Sequence, residues 1–335
     1  MHMNVFNNQA FNALSLTATL IDQPHVPQQL EQEGLFNSQG VRTRQVSIER
    51  QGNTLVLVQT TPRGAPRQQN SKDGRTLINI PTARIALEDT MTPDEVQDVR
   101  ALGSESDLDT MMEEAMRRAT RMSNSISATI EFHRVNAMKG IVLDADGSEL
   151  LNLFTTFGVV AQTEVAIDFA NTAEGALRGK FSAIIRLIED ELGGLPYTAI
   201  KCKCSSQFFD DLTGHAEYRA NKKGFADARM LNDRTARRMT NFAGIDFEEY
   251  RGQIGGTKYV ADNKAHFYPV GVPELWLTRY APPPWVGFEN TIGLPRYMKM
   301  VVTNQIDDQV LWAVETHVLN ICTRPRVLIP AKRGA

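Results

Sequence analysis

Residues 106–138, SDLDTMMEEAMRRATRMSNSISATIEFHRVNAM, carry a helical period that shapes the reading of the whole chain. Apolar or small side chains recur every three or four positions, at Leu108, Met111, Met112, Ala115, Met116, Ala119, Met122, Ile126, Ile130 and Ala137. This spacing is close to 3.6 residues and predicts one amphipathic helix. At 1.5 Å per residue it would be about 50 Å long, beyond the usual length in globular domains. We therefore predict a structural spine whose methionines pack in a core and do not line a binding groove.

The segments before this helix differ in charge. Residues 86–115 carry ten acidic side chains and one basic side chain, Arg100. Residues 38–80 show the opposite balance, with two acidic side chains against seven basic ones: Arg42, Arg44, Arg50, Arg63, Arg67, Lys72 and Arg75. Two interpretations remain open. Both segments are solvated faces, or a basic projection of one copy of the chain meets an acidic surface of another copy.

The basic segment also has strand character. Residues 41–51 and 53–62 alternate apolar and polar side chains around a Gln-Gly pair and predict two antiparallel strands, and residues 76–87 predict a third. Strands of about ten residues reach about 35 Å, so we expect this segment to project from the core. Residues 1–37 carry few charges and no sustained period, and predict an extended arm with at best short helical pieces.

Mixed helix and strand patterns follow the long helix. Residues 139–154 predict a strand, an Asp-Gly turn and a second strand, and residues 175–194 predict an amphipathic helix that ends at a glycine pair. Residues 198–205 predict a strand buried on one face, and a helix is expected to begin at a Ser205 cap. Short strand-and-turn units follow, so the middle of the chain is predicted to be an α+β domain.

Composition excludes several classes of protein. The chain has 335 residues, of which 42% are hydrophobic and 22% charged, and its net charge is −3. These values indicate a globular protein of one large domain or two, and they argue against disorder and against general nucleic-acid binding. No apolar stretch approaches the roughly 20 residues of a membrane helix. The N-terminus lacks the features of a secretory leader, which favours a cytosolic protein.

No catalytic or metal site emerges from the motifs. Phosphate-loop, dinucleotide, serine-hydrolase and zinc-protease signatures are missing, and Gly175 to Lys180 has the wrong spacing for a phosphate loop. Asp144 to Gly147 lacks the distal ligands of a calcium loop and predicts a turn. The cysteines predict buried thiols: Cys202, Cys204 and Cys322. We predict no catalytic residue, no cofactor and no metal, with a hydrolase or nucleotide-binding enzyme as the alternative.

Six segments, in order along the chain, resemble one known family. They are FHRVNAMKGIVLDADGSELLNLF (132–154), KCKCSSQFFDDLTGH (201–215), FAGIDFEEYRG (242–252), HFYPVGVPELWLTRYAP (266–282), FENTIGLPRYMK (288–299) and ICTRPRVLIP (321–330). Together they resemble the major capsid protein E family of lambda-like tailed bacteriophages, over about residues 30–330. No single segment is decisive, but several in register make coincidence a poor explanation.

The resemblance implies an α+β fold of the tailed-phage major capsid (Johnson, Hong Kong 97-like) type. It has an N-terminal arm, an extended hairpin loop, a peripheral domain with a spine helix, and an axial domain at the capsomer centre. In this sequence these parts correspond to residues 1–37 (arm), 38–80 (extended loop), 81–175 and 286–335 (peripheral domain, with the spine helix at about 106–138) and 176–285 (axial domain).

The resemblance further implies a function and a set of partners. Copies of the chain would form homo-pentamers and homo-hexamers that tile an icosahedral head around double-stranded DNA, which they would contact only nonspecifically. Scaffold, portal and decoration or cement proteins would be further partners. The implied location is the virion, after assembly in the cytoplasm of a host bacterium. The alternative with the same fold is the shell of a cellular nanocompartment, which encloses enzymes instead of a genome.

Two groups of residues become candidate sites within this fold. The first is an inter-subunit contact, in which Arg63, Arg67 and Lys72 near the loop tip meet acidic residues of a neighbouring copy: Asp94, Glu95 and Asp98. Covalent crosslinking of the loops is not expected. The second is the stretch YAPPPWVGFENTIGLPRYMKM (280–300), which either binds a proline-recognising groove or forms the crossover from the axial to the peripheral domain.

The crossover interpretation gives each residue of that stretch a role. Three prolines, Pro282, Pro283 and Pro284, would stiffen the chain. Trp285 and Phe288 would anchor it by burying apolar area. Residues Asn290 to Pro295 would form a turn in which Gly293 adopts a positive φ.

Overall fold

The computed structural model describes residues 11–22, 28–50, 76–91, 107–223, 239–254, 256–303 and 309–334. Its helices are α1 (Ala13–Asp22), α2 (Gln29–Gln32), α3 (Asp107–Lys139), α4 (Leu153–Thr156), α5 (Ala176–Leu192), α6 (Ser206–Gly214), α7 (Ala216–Lys223) and a 3-10 turn at Pro325–Val327. Its strands are β1 (Asn37–Gly40), β2 (Gln45–Arg50), β3 (Thr76–Pro81), β4 (Ala83–Met91), β5 (Ile141–Leu143), β6 (Glu149–Asn152), β7 (Val165–Ile167), β8 (Ala199–Cys204), β9 (Met239–Phe242), β10 (Ile245–Glu249), β11 (Gln253–Ile254), β12 (Thr257–Lys258), β13 (Lys264–Val270), β14 (Trp276–Ala281), β15 (Tyr297–Thr303), β16 (Gln309–Cys322) and β17 (Ile329–Arg333).

The chain divides into two compact units. Unit 1 contains Met1–Val46, Asn79–Arg134 and Leu277–Asn320, and unit 2 contains Ser47–Ile78, Val135–Trp276 and Ile321–Ala335. Compactness does not test the division into arm, extended loop, peripheral and axial domains. That division therefore remains a prediction.

The long helix α3 confirms the prediction for residues 106–138, because it runs for 33 residues. Within unit 1 its small and apolar face is buried: Ala115 and Ala119 are fully inaccessible, and Ile126 and Ile130 are at most 3% exposed. These side chains share one core with Trp312 of strand β16, which is also fully buried.

The core of unit 1 is completed by a five-stranded sheet. Strand β16 pairs antiparallel with β15 on one side and with β4 on the other, with Trp312 opposite Met300 and opposite Asp89. Strand β14 continues the sheet, and β1 pairs with it in parallel from Asn37↔Leu277 to Gly40↔Tyr280. The single strand predicted over residues 76–87 is present as two strands, β3 and β4.

The N-terminal segment differs from the prediction of an extended arm. Helix α1 is ten residues long, and its Leu16 and Leu20 are buried in the core of unit 1. The Oγ1 of Thr17 accepts a hydrogen bond from the Met298 amide at 3.1 Å on strand β15. The sequence shows only a short apolar spacing here, and the helix is stabilised by packing against the sheet more than by its own propensity.

Unit 2 contains a six-stranded mixed sheet in the order β7-β17-β13-β8-β10-β9. Helix α5 buries Phe181 among Phe242, Phe247 and Phe267, with ring centroids between 5.0 and 6.1 Å apart. The helix ends where predicted, since Gly193 takes the left-handed conformation at φ 61°. The predicted Ser205 cap is also confirmed, because its side chain accepts a hydrogen bond from the Phe208 amide at the start of α6.

Strand β8 is more deeply buried than the one-faced pattern predicted. Cys202 and Cys204 are inaccessible, as expected, but Lys203 between them is only 2% exposed. Its Nζ lies 2.5 Å from Glu248 Oε2 and over the Tyr250 ring. A buried charge is tolerated at this position because an opposite charge is paired with it. The third thiol, Cys322, is buried as well, and burial raises its pKa to about 12.

The Asp-Gly turn predicted within residues 139–154 is confirmed. Strands β5 and β6 pair antiparallel, and the Gly147 amide donates to the Asp144 carbonyl at 3.0 Å. The Ser148 amide donates to Asp146 Oδ1 at 2.8 Å, which holds the carboxylate within the turn. Of the helices that the structure describes, none is both long and apolar enough to span a membrane.

Candidate functional site

The stretch of residues 280–296 connects strands β14 and β15 and lies within unit 1. Phe288 is 3% exposed and packs edge-on against Tyr297, with ring centroids 5.2 Å apart. Trp285 is half-buried and contacts both rings at 6.1 and 6.2 Å. Lys299 Nζ lies 5.7 Å from the Trp285 centroid. Edge-on pairs of this kind contribute about 0.5–1.5 kcal/mol each beyond the area that they bury.

The prolines of this connection occupy different environments. Pro283 is buried, Pro282 is half-buried, and Pro284 and Pro295 are exposed. Val286, which follows Trp285, is 94% exposed. One end of the triplet therefore packs against the unit, while the other end turns to the surface. A proline-binding partner would reach only Pro284 fully.

Gly293 lies at the closest backbone approach of the connection. Its amide donates to the Val41 carbonyl at 2.9 Å, and the Val41 amide donates to the Tyr280 carbonyl at 2.7 Å. A Cβ on Gly293 would lie 2.0 Å from the Tyr280 carbonyl oxygen, and a Cβ on Gly40 would lie 2.2 Å from the Gly293 oxygen. Three backbone segments meet here. They can approach this closely because Gly40 and Gly293 have no side chain.

The predicted positive φ at Gly293 is wrong, and the glycine is needed for a different reason. The left-handed residues of the turn are Gly287 at φ 95° and Asn290 at φ 58°. Asparagine tolerates that conformation better than other residues with a side chain. Gly293 instead provides room for the Tyr280 carbonyl, and this long-range approach leaves no mark in the local sequence.

The six residues of the predicted inter-subunit contact lie outside the described residues: Arg63, Arg67, Lys72, Asp94, Glu95 and Asp98. Part of the acidic segment around them is described. Arg118 pairs with Glu114 at 2.9 Å and with Asp89 at 3.5 Å, and Arg117 pairs with Glu114 at 2.6 Å. The hydrogen bond from Arg117 lowers the pKa of Glu114 to about 2, and Arg118 adds to the shift. These acidic groups are partly neutralised within their own chain.

A cavity in unit 1, lined by apolar and charged side chains, was not anticipated from the sequence. It has a volume of about 210 Å³ and lies beside α1, α2 and α3 and the end of the 280–296 connection. Two of its lining residues are buried arginines, Arg134 at 3% and Arg296 at 9% exposure, and one is the carboxylate Glu31. Arg134 lies on α3 among polar residues that the apolar period does not explain. These residues were the only local indication in the sequence of a charged cavity.

No constellation for metal chemistry is found in the part of the chain that the structure describes, where no group of three or more His, Cys, Asp or Glu could hold an ion. The described histidines have structural contacts. His215 Nε2 lies 3.1 Å from the Asn171 carbonyl, and His317 Nε2 lies 3.1 Å from Glu315 Oε1. Glu315 is also held by Arg84 at 2.7 Å. These contacts all lie within the chain and hold its strands and turns together.

Comparison with known proteins gives consistent matches along the whole chain. The family model described as phage major capsid protein E matches residues 12–333. The major capsid protein of Pseudomonas phage KPP10 is 25% identical over 348 residues, covering 96% of this chain and 97% of that protein. That of Salmonella phage Felix O1 (isolate Felix O1-VT1) is 23% identical over 359 residues, covering 97% of each. The capsid structure of cyanophage P-SCSP1u superimposes with a TM-score of 0.52 at 11% identity, covering 93% of this chain and 90% of that one.

Proposed function

This chain belongs to the phage major capsid protein E family, and we propose that its copies close into an icosahedral head around double-stranded DNA. It is a major capsid protein of a tailed phage, with the α+β Johnson or Hong Kong 97-like fold that the sequence predicted. The observation that carries this conclusion is the family match over residues 12–333. The family is one of structural proteins, and we propose that the chain has no catalytic role.

One sequence must serve both five-fold and six-fold positions of such a head. The proposed contacts are therefore heterologous, with one surface of each copy meeting a different surface of the next so that rings close. Many modest interfaces per copy would hold the shell together, because all of them engage at once. The net charge of −3 suits a container from which DNA must leave, since a strongly basic lining would bind the genome.

The proposed partners follow from this role. The chain would pair chiefly with itself, with a scaffold, a portal and decoration or cement proteins as further partners, and DNA would be cargo. We propose assembly in the host bacterial cytoplasm and residence in the virion. Membership of a phage family favours this role over the nanocompartment shell. Particle contents separate the two: DNA is expected in particles from infected cells, and an enclosed enzyme would indicate a nanocompartment.

The charge contact between the extended loop and a neighbouring copy remains our proposal for the first interface. Arg63, Arg67 and Lys72 would meet Asp94, Glu95 and Asp98, so the paired change Arg63→Glu with Arg67→Glu is expected to lower the yield of shells several-fold at low salt. The matched control is Arg42→Glu with Arg44→Glu, which changes the same charge near the loop base at two exposed positions.

A compensating reversal makes this test specific. Adding Asp94→Lys and Glu95→Lys to the reversed loop should restore much of the yield, measured by sedimentation of assembled particles against free subunits. Unchanged yield in the reversed loop, or equal loss in the Arg42 and Arg44 control, would rule out the assigned contact.

A further inference from the structure

The cavity in unit 1 carries buried positive charge that is incompletely matched. Arg134 is 3% exposed, and its nearest ion-pair partner is Glu31, whose Oε2 lies 3.9 Å from Arg134 Nη1. The Glu31 side chain is itself 37% exposed. Arg134 Nε is buried and has no hydrogen-bond partner among the described residues. Arg134 therefore presents a donor edge that nothing in the described chain accepts.

Arg296, on the same cavity, is held only by neutral oxygens in the described part of the chain. It donates to Ser127 Oγ at 2.7 Å, to the Pro295 carbonyl at 2.7 Å and to Ser123 Oγ at 3.3 Å. Burial lowers the pKa of Arg296 from its ordinary value; Tyr280 and Glu31 oppose that shift, and Arg134 adds to it. The serines position the guanidinium but supply no opposite charge.

The charged residues that line the cavity and the volume of the cavity indicate which kind of group it could bind. Two guanidinium groups face the cavity against one carboxylate, and burying a cation without a matched anion is costly. The volume of about 210 Å³ is several times the roughly 30 Å³ that one water molecule occupies in the liquid, so the cavity has room for more than a single water. The planar arginine fork matches a carboxylate or phosphate in two parallel hydrogen bonds.

We propose that this cavity is an oxyanion-binding site, in which Arg134 and Arg296 hold a carboxylate or phosphate group. Arg134 supplies a buried guanidinium at the cavity wall, whose Nε has no partner among the described residues, and Arg296 supplies a second charge fixed by Ser123 and Ser127. The group comes either from a free anion or from an acidic side chain of a neighbouring copy of this chain. Binding of a free anion requires no shell, so the test of that source is independent of the proposed function.

The first measurement is calorimetric titration of the full unassembled chain with inorganic phosphate and, separately, with succinate in low-chloride buffer. We expect saturable binding of one anion per chain. Arg134→Gln should weaken it by about ten-fold or more, because charge-assisted hydrogen bonds are lost. The control is Arg117→Gln, on the same helix but 58% exposed and paired with Glu114 outside the cavity, which should leave the affinity unchanged.

A second variant keeps the test valid if Arg134→Gln fails to fold. Glu31→Gln removes the one negative charge of the cavity at a partly exposed position, and it should tighten anion binding by about three-fold, the size expected of a partly solvated charge contact. Binding that is equal in all three variants and in the wild type would be an adventitious surface effect and would overturn the proposal.

The second measurement tests whether an acidic side chain of a neighbouring copy supplies the anionic group. If the free chain binds neither anion, a side-chain-resolution reconstruction of the assembled shell should show an Asp or Glu of a neighbouring copy within about 3 Å of Arg134. That result would assign the site to subunit contact. A shell in which the cavity contains only water, together with no anion binding by the free chain, would contradict the proposal.

Discussion

At the scale of single residues, Gly293 shows how a long-range contact sets a local requirement. A side chain there would lie 2.0 Å from the Tyr280 carbonyl oxygen, so Gly293→Ala must displace backbone on one side of the contact. We expect the free energy of unfolding to fall by about 1–3 kcal/mol, the usual cost of overpacking, and fewer shells to form. Chemical denaturation of the unassembled chain measures the first effect directly.

The matched control for this glycine lies in unit 2. Gly179 lies inside helix α5, and a Cβ there would meet nothing within 4 Å. Gly179→Ala should stabilise the chain by about 0.5–1 kcal/mol, since alanine favours helix more than glycine does. If both alanine variants unfolded alike, the close approach at Gly293 would not be what requires a glycine.

His266 on strand β13 predicts a pH dependence of stability. Burial disfavours the charged form of His266 and lowers its pKa from 6.5 to about 3. The charges of Lys139 and Lys264 add to the shift. Between pH 6.5 and 3 the unfolded chain therefore binds a proton that the folded chain does not. The contribution of His266 is intact above pH 6.5 and is lost progressively as the pH falls through this window.

The size of this effect is bounded by the shift. Between pH 7.5 and 5 the loss from His266 is at most about 2 kcal/mol. Denaturation at both pH values should show a smaller difference in His266→Gln than in the wild type. Identical pH dependence of the two chains would mean that His266 titrates normally in the folded state.

At the scale of elements, helix α3 supplies the core of unit 1. Ile126 is fully buried, so Ile126→Ala should lower the free energy of unfolding by about 2–5 kcal/mol through lost transfer energy and the cavity left behind. Arg121→Ala on the exposed face of the same helix should stay within about 0.5 kcal/mol of the wild type. Equal effects of the two substitutions in denaturation would contradict the burial of this face.

The elements also show which features a sequence can predict. Helices α3 and α5 were predictable because their apolar residues repeat at the helical period, and the Gly193 and Ser205 caps have local signals. Helix α1 was not, because it depends on burial of Leu16 and Leu20 against a sheet formed far along the chain. The buried Lys203 was missed for the same reason: its partner, Glu248, is 45 residues away.

The candidate sites divide in the same way. The aromatic anchors of residues 280–296 were recognisable by type, whereas the room that Gly293 provides depends on where Tyr280 passes. The arginine cavity joins residues from α3 and from the end of the 280–296 connection, and no local motif links them. A site whose residues come from distant segments can be recognised only in the folded structure.

At the scale of the whole molecule, the chain is a major capsid protein, and its proposed role depends on many copies of one fold. The family match covers nearly the whole chain, and the proposed function adds that one sequence occupies both five-fold and six-fold positions.

The most direct test of whether one sequence occupies both five-fold and six-fold positions is cryo-electron microscopy of particles formed by the full chain, alone or with its scaffold. We expect closed icosahedral shells in which the same fold, with helix α3 visible, fits at both pentamer and hexamer positions. A chain that stays monomeric under assembly conditions, or that forms only open rings of a single symmetry, would contradict it.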